Sequence, residues 1–295
     1  MTETSGGTTP RISPTAHYTG QVWVRHGLSP PELDTWQGRF FHRGAAPALR
    51  WAPRLLGLGT MDDILLRRHR LMDLAVDALV EAGLASVGVE VAAGLAARSV
   101  RMTRRWQGVG LRWLDADLPG MARLRRQRLA GLHPPVRAVE VREVDVLEED
   151  GPRSLQTLLA GVEGTPVVVT EGLLNYFLKP VAEGICQRLL AALRSRGGGW
   201  YVLELHARQD LEGHPAVGAF LAGLSVFARG RVALHHDSVA GAASWLRAAG
   251  ADAVWEVDDG QGNPRQVPVR VLVARVGEVS EGVPAVLRRL AQSAG

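Results

Sequence analysis

From residue 86 onward the chain alternates short runs of β-forming residues with helical patterns, and that alternation dictates a parallel sheet covered by helices on both faces. Seven strands are expected, at Ser86 to Ala92, Gly110 to Ala116, Val141 to Val146, Pro166 to Thr170, Gly199 to Leu205, Ala253 to Val257 and Val267 to Val276. The runs VVVT and WYVLEL are almost continuously apolar, as strands buried on both faces must be, and belong at the sheet centre. Helices are expected over Leu118 to Leu132 and over Val181 to Arg196, the latter stopped by Gly197, Gly198 and Gly199. Between the last two strands stand only Asp258 to Gln266, rich in Asp, Gly and Pro, so no crossover helix fits and these strands should pair antiparallel. The fold class is therefore α/β, a Rossmann-like, mostly parallel sheet with an antiparallel last strand.

Residues 1 to about 80 follow a different pattern, with two proline-bearing aromatic segments and then a helix from Thr60 or Met61 to Ala82 that carries Asp62 and Asp63 in its first turn. We read 1–82 as a helical cap and 83–295 as one core, a division that 295 residues accommodate. No run of about 18 apolar residues occurs, and the polar N-terminus lacks the features of a signal peptide, so a cytoplasmic protein without a membrane span is expected. Cys186 is the single cysteine, which excludes an internal disulfide framework and suits a small buried helix residue. The net charge of +4 is dispersed: Lys179 is the only lysine, and acids are interleaved with the arginines. No nucleic-acid stripe results, and the densest basic run, Arg123 to Arg128, reads as a solvated helix face.

The chemistry-bearing residues fall at strand ends. After the first strand, VEVAAGLAARS (Val89 to Ser99) makes a small-residue turn in which Gly94 is the sole glycine, so the G-x-G-x-x-G fingerprint of dinucleotide binding is absent. Asp115 and Asp117 in WLDADLP lie 21 and 23 residues beyond Gly94, where a carboxylate can accept ribose hydroxyls. Asp145 with Val146 ends the third strand and Glu171 the fourth. Because parallel sheets bind ligands at the carboxyl ends of their strands, these four acids should converge on one crevice. An acidic rim suits adenosine bearing a cationic sulfonium and an ammonium, as in S-adenosylmethionine; a dinucleotide pyrophosphate would be repelled.

The segments LLRRHRLMD, VEVAAGLAARS, WLDADLP, VDVL and VTEGLLNYF, with ISPTAHYTGQVWVRHGLS near the N-terminus, resemble the ordered motifs of the leucine carboxyl methyltransferase family. They are most similar to its bacterial branch of tetracenomycin-type polyketide O-methyltransferases, over roughly residues 12 to 205. The resemblance implies that S-adenosylmethionine is bound and S-adenosylhomocysteine released. It implies that Arg68 holds the methionine carboxylate, Ala92 and Gly94 line the methionine, Asp117 takes the ribose, Asp145 and Val146 border the adenine, and Glu171 receives the ammonium. Arg67 adjoins Arg68, so either can fill that role. The chain departs from the family in having Ala92, Ala93 and Gly94 for Gly-Ala-Gly, and Ala96, Ala97 and Arg98 for Asp-Thr-Arg.

The expected activity is transfer of a methyl group to a carboxylate or phenolic hydroxyl of a small molecule in natural-product biosynthesis. A carboxylate acceptor needs no base, whereas a phenol benefits from one, for which His206, His17 and Tyr18 are candidates. Trp23, Trp36 and Phe40 or Phe41, with the apolar stretch His214 to Arg229, can wall an acceptor pocket. His235 and His236 lack recognisable partners for a metal, and none is expected. The rival readings are a sulfonium-binding enzyme with another reaction, an NAD-linked oxidoreductase and a nucleic-acid-binding module.

Overall fold

Val167, Val168 and Val169 are fully buried, as are Tyr201 and Val202 beside them, because these two runs occupy the middle of a sheet covered on both faces. In the computed structural model, which describes residues 14–40, 42–44, 60–211, 234–261, 268–279 and 282–290, eight strands form that sheet. They are β1 Val87–Val91, β2 Arg112–Asp117, β3 Val139–Glu143, β4 Pro166–Thr170, β5 Gly199–Leu205, β6 Ala253–Val257, β7 Arg270–Val276 and β8 Leu287–Arg289. Their spatial order is β3-β2-β1-β4-β5-β7-β6-β8. Pairing is parallel from β3 through β5, whereas β7 runs antiparallel to both β5 and β6, and β8 antiparallel to β6. The antiparallel pairing expected of β6 and β7 is thus present.

Two expectations need correction. The third strand is Val139–Glu143, not Val141 to Val146, because the chain leaves the sheet at Val144, which with Val146 turns into the core from the following loop. The eighth strand was not foreseen: Leu287–Arg289 is short and basic, and it pairs on the outer edge of β6 where Arg288 meets Glu256.

The main helices are α1 Pro14–Arg25, α2 Met61–Glu81, α3 Arg98–Arg105, α4 Pro119–Ala130, α5 Leu155–Ala160, α6 Lys179–Ser195 and α7 Val239–Ala248. Alternation along the strands separates two cores. Val87, Val89, Val91 and Val168 face α5, α6 and α7, with Cys186 buried among them. Val167, Val169, Trp200 and Trp255 face α2, whose Leu71, Met72, Val76 and Leu79 lie directly on the sheet. Gly88 on that second face must lack a side chain, since a Cβ there would stand 2.1 Å from the Trp113 ring that lies across it. A capping box starts α2: the Thr60 hydroxyl accepts from Asp63 N, and the Asp63 carboxylate accepts from Thr60 N. Asp62, beside it, accepts a hydrogen bond of 2.9 Å from the Tyr18 hydroxyl and so ties α1 to α2. No described helix is long and apolar enough to cross a membrane.

The strand order reverses between β1 and β4, and the carboxyl ends of those two strands open on one crevice. Helix α1 crosses beside it: a Cβ on Gly20 would stand 2.9 Å from the Leu95 Cβ, and one on Gly94 would stand 3.8 Å from the Ala16 Cβ.

Candidate active site at the carboxyl ends of β1, β2 and β4

The turn after β1 is fixed from two directions. Gly94 and Ala92 both adopt positive φ, 53° and 58°. The Gly94 amide donates to Asp117 Oδ2 at 2.8 Å, and the Leu118 amide donates to Asp117 Oδ1 at 2.8 Å. Asp117 therefore clasps the end of β2 to the turn, half-exposed, with lone pairs on each oxygen still available for ligand hydroxyls. From beneath, Arg125 of α4 donates to Gly94 O at 2.9 Å and to Asp115 Oδ2 at 2.7 Å, and Ser99 donates to the same Asp115 oxygen at 2.8 Å. Both Asp115 and Arg125 are 0% exposed.

This geometry corrects two readings of the sequence. Arg123 and Arg126 face solvent, but Arg125, in the middle of the same basic run, is the buried brace of the turn. Asp115, expected at the rim beside Asp117, points under the turn, where Arg125 and Ser99 both donate to its Oδ2, so its carboxylate is a support and does not line the crevice.

Ala92 bears the cost of the turn, because a Cβ in the left-handed region is disfavoured by about 1–2 kcal/mol relative to the right-handed form. Ala92→Gly is accordingly expected to raise folding stability by about 1 kcal/mol, read from denaturant midpoints at unchanged slope. A lowered midpoint would mean that the Ala92 methyl contributes more by packing than its backbone loses.

Across the crevice, Glu171 follows β4. Its Oε1 accepts from Arg68 Nε at 3.0 Å; its Oε2 accepts from Arg98 Nη2 at 2.6 Å and from His69 Nδ1 at 2.7 Å. Burial by itself would raise its pKa, but His69, Arg98 and Arg68 together outweigh that and hold the carboxyl well below its usual range. Burial also lowers the His69 pKa, so the ring is neutral. Arg101 donates to its Nε2 at 2.7 Å, leaving the proton on Nδ1 for Glu171, while Trp23 stacks on the ring at 4.3 Å. Arg98 is 0% exposed and also reaches Asp73, at 2.7 Å, and Glu90. The neighbouring Arg67 instead forms a two-pronged pair with Asp259, at 2.5 and 2.7 Å, so it is Arg68 that faces Glu171.

Asp145 is half-buried at the end of β3 and accepts from the Leu147 amide at 3.0 Å, while the Val146 side chain is buried and its carbonyl accepts from Arg188 at 3.0 Å. Asp117 and Asp145 thus stand at adjacent strand ends, and Glu171 at the end of β4 on the other side of β1.

The candidate bases have separate settings. The His17 Nδ1 lies 2.9 Å from the Thr35 hydroxyl, and Tyr18 is committed to Asp62, so both hold the N-terminal segment together. His206, at the end of β5, lines a cleft together with His235 and His236. Burial pushes the His206 and His236 pKa values down to about 4. No cluster of metal-ligating groups occurs among the described residues. Of the aromatic residues expected around an acceptor, Trp23 is buried against His69, whereas Trp36 (65%) and Phe40 (68%) are exposed among the described residues. Phe41 and His214 to Arg229 lie outside the described residues.

Sequence reasoning missed His69, Asp73, Arg98, Arg101 and Arg125. The one available signal was the i,i+4 spacing of His69 and Asp73, which places both on the same face of α2 as Met72 and Val76.

A mostly parallel sheet with an antiparallel seventh strand, carrying polar groups at its carboxyl ends around the switch point, defines the class: a Rossmann-like α/β fold. No family model matches the chain, and no curated protein matches it. Among solved structures, the chain is similar to a DUF574 family protein from Streptomyces avermitilis, at 16% identity and a TM-score of 0.56, over 90% of this chain and 100% of that one. It is similar to an O-methyltransferase family protein from Burkholderia thailandensis, at 16% identity and a TM-score of 0.50, over 82% of this chain and 71% of the other. The apo form of SibL, an S-adenosylmethionine-dependent methyltransferase, shares 18% identity at a TM-score of 0.50, over 87% and 76% of the two chains. At these identities the likeness is one of fold.

Proposed function

We propose that the protein is an S-adenosylmethionine-dependent O-methyltransferase for a small-molecule acceptor, related to the polyketide branch of the leucine carboxyl methyltransferases. The observation that carries this reading is the opposed pair Arg68 and Glu171 at one side of the Gly94 turn, with Asp117 at the other. The ends of this crevice suit the two ends of the cofactor. Arg68 and Glu171, each other's counter-ions at 3.0 Å, match in sign the carboxylate and ammonium of a methionine moiety; Asp117 retains lone pairs for a ribose; Asp145 and Val146 lie one strand further for an adenine. The glycine fingerprint that a pyrophosphate favours is missing from the turn after β1, where Gly94 is the sole glycine.

When bound, S-adenosylmethionine supplies a methyl carbon already activated by its sulfonium, so the chain's part is orientation and exclusion of water. Arg68 and Glu171 would fix the amino-acid end, the Gly94 and Ala92 backbone would lie along it, and Asp117 would hold the ribose. Helix α1, beside the turn through Ala16 and Gly20, would shield the site, whereas α2 packs on the sheet as part of the core. The test is calorimetric titration with S-adenosylmethionine, S-adenosylhomocysteine and NAD. Binding of the first two and not the third is expected; heat with NAD alone would overturn the reading.

A further inference from the structure

The parallel register of β1 and β2 sets Glu90 directly beside Asp115. Glu90 lies two residues past Gly88, and Asp115 two past the Trp113 that crosses it, so both side chains leave the sheet on the same face. Neighbouring strands stand about 4.8 Å apart, which makes carboxyl groups at paired positions close neighbours. Glu90 is 1% and Asp115 0% exposed. Each carboxyl group has donors on one oxygen only. Glu90 Oε1 accepts from Arg98, and Asp115 Oδ2 accepts from Arg125 and Ser99, whereas Glu90 Oε2 and Asp115 Oδ1 are buried with no hydrogen-bond partner among the described residues.

An ionised carboxylate can only accept, so two charged acids here would leave two buried acceptors unmet and two like charges side by side. The surrounding cations are already divided. Arg98, from α3, gives its donors to Glu90, to Asp73 of α2 and to Glu171 after β4, and Arg125, from α4, serves Asp115, Ser99 and the Gly94 carbonyl. His69, from α2, is neutral and directs its proton to Glu171. Burial pushes the Glu90 carboxyl up to about 7, with Arg98 opposing and Asp115 adding to the shift; burial raises Asp115 as well. A single proton removes both difficulties, because it cancels one charge and supplies the donor that the second acid needs.

We propose that Glu90 and Asp115 hold one proton between them and form a pH-sensitive support under the crevice. Glu90 carries the proton, since Asp115 Oδ2 has two donor groups to stabilise its charge, and the Glu90 hydroxyl donates to Asp115 Oδ1. The pair joins the two halves of the site: Asp115 reaches the Gly94 turn through Arg125, and Glu90 reaches Glu171 through Arg98. Between the ordinary glutamate value of 4.5 and about 7, the folded chain keeps a proton that the unfolded chain has lost. Stability therefore falls as pH rises through that window and is level above it. The inference needs no ligand and stands apart from the methyltransferase reading.

The experiment uses the full chain with carbon-13 in its glutamate and aspartate carboxyl groups, the Glu90 signal being assigned from Glu90→Gln. Glutamine mimics the protonated acid, with an oxygen for Arg98 and an amide donor for Asp115. The Glu90 signal is expected to titrate with a midpoint near 7. In denaturant unfolding, the folding constant of Glu90→Gln divided by that of the parent should rise about tenfold per pH unit between about 4.5 and about 7. In Asp115→Asn, whose amide can donate to Glu90 Oε2, the Glu90 midpoint should drop by about one pH unit or more. Should that variant not fold, the Asp115 carbon of the parent serves, because a shared proton moves it at the same midpoint as Glu90. A Glu90 carboxyl already ionised at pH 5, as a water bridging two charged acids would leave it, overturns the proposal. So does a folding ratio that is flat or falls with pH, a Glu90 midpoint unmoved in Asp115→Asn, or a silent Asp115 carbon.

Discussion

Replacing Glu171 by glutamine is expected to weaken S-adenosylhomocysteine binding by about a hundredfold or more and to lower the melting temperature as well. Glutamine keeps the size of the side chain and removes the charge that Arg68, His69 and Arg98 converge on. Breaking a buried charge pair from one side costs about 3–5 kcal/mol, because the partner is left uncompensated. Arg98 retains Asp73 and Glu90, so the loss should fall mainly on Arg68, the arginine proposed to hold the methionine carboxylate. In kinetics the apparent Michaelis constant for S-adenosylmethionine should rise while the maximal rate changes less, the signature of a lost ground-state contact. A catalytic base at this position would show the reverse, yet a carboxylate held far below its usual pKa by three donors is a poor proton acceptor. Unchanged affinity with an abolished rate would sink the assignment.

The adjacent acids Asp115 and Asp117 should separate cleanly into fold and ligand. Asp115→Ala leaves the fully buried Arg125 guanidinium without its carboxylate, a loss of about 3–5 kcal/mol in folding stability. Replacing both partners with apolar residues, Asp115→Leu with Arg125→Met, should restore much of it, since the isolated charge and not the missing pair is what destabilises. Asp117→Ala, in contrast, removes a rim carboxylate and should weaken S-adenosylhomocysteine binding by about 1–3 kcal/mol, roughly five- to a hundredfold, with a smaller effect on melting. Thermal melts and calorimetry on the same three variants give both readings. An Asp115→Ala protein that melts like the parent, or an Asp117→Ala protein that unfolds while binding normally, would show that the two roles are reversed.

The strand pattern was legible because VVVT, WYVLEL and the loop-separated last pair carry their burial in their composition. Strand β8 was not, since LRR has one apolar residue and exists as a strand only because the outer edge of β6 presents backbone groups and Glu256 to it. The limits of β3 were blurred for a related reason. Val139, Val141, Val144 and Val146 form an apolar series that continues past the point where hydrogen bonding to β2 ends. In the site, the positions of Gly94, Asp117, Asp145 and Glu171 at strand ends follow from topology, and the sequence alone placed them there.

What one-dimensional reading could not supply was which way neighbouring side chains point. Arg67 and Arg68 are adjacent, and so, two apart on one strand, are Asp115 and Asp117. The helix turns Arg67 toward Asp259 and Arg68 toward Glu171, and the local geometry at the end of β2 sends Asp115 beneath the turn and leaves Asp117 on it. Arg125 sits in a run of like residues and differs from Arg123 and Arg126 only in facing Asp115. By itself the sequence determined the sheet, its switch point and the acids at the strand ends, because periodic burial and short loops constrain the backbone locally. Only the tertiary structure decided the charge network of Arg68, His69, Asp73, Arg98 and Glu171, because its members come from α2, α3 and the loop after β4, over a hundred residues of chain. A buried charge is tolerable only when packing delivers its partners from elsewhere in the fold.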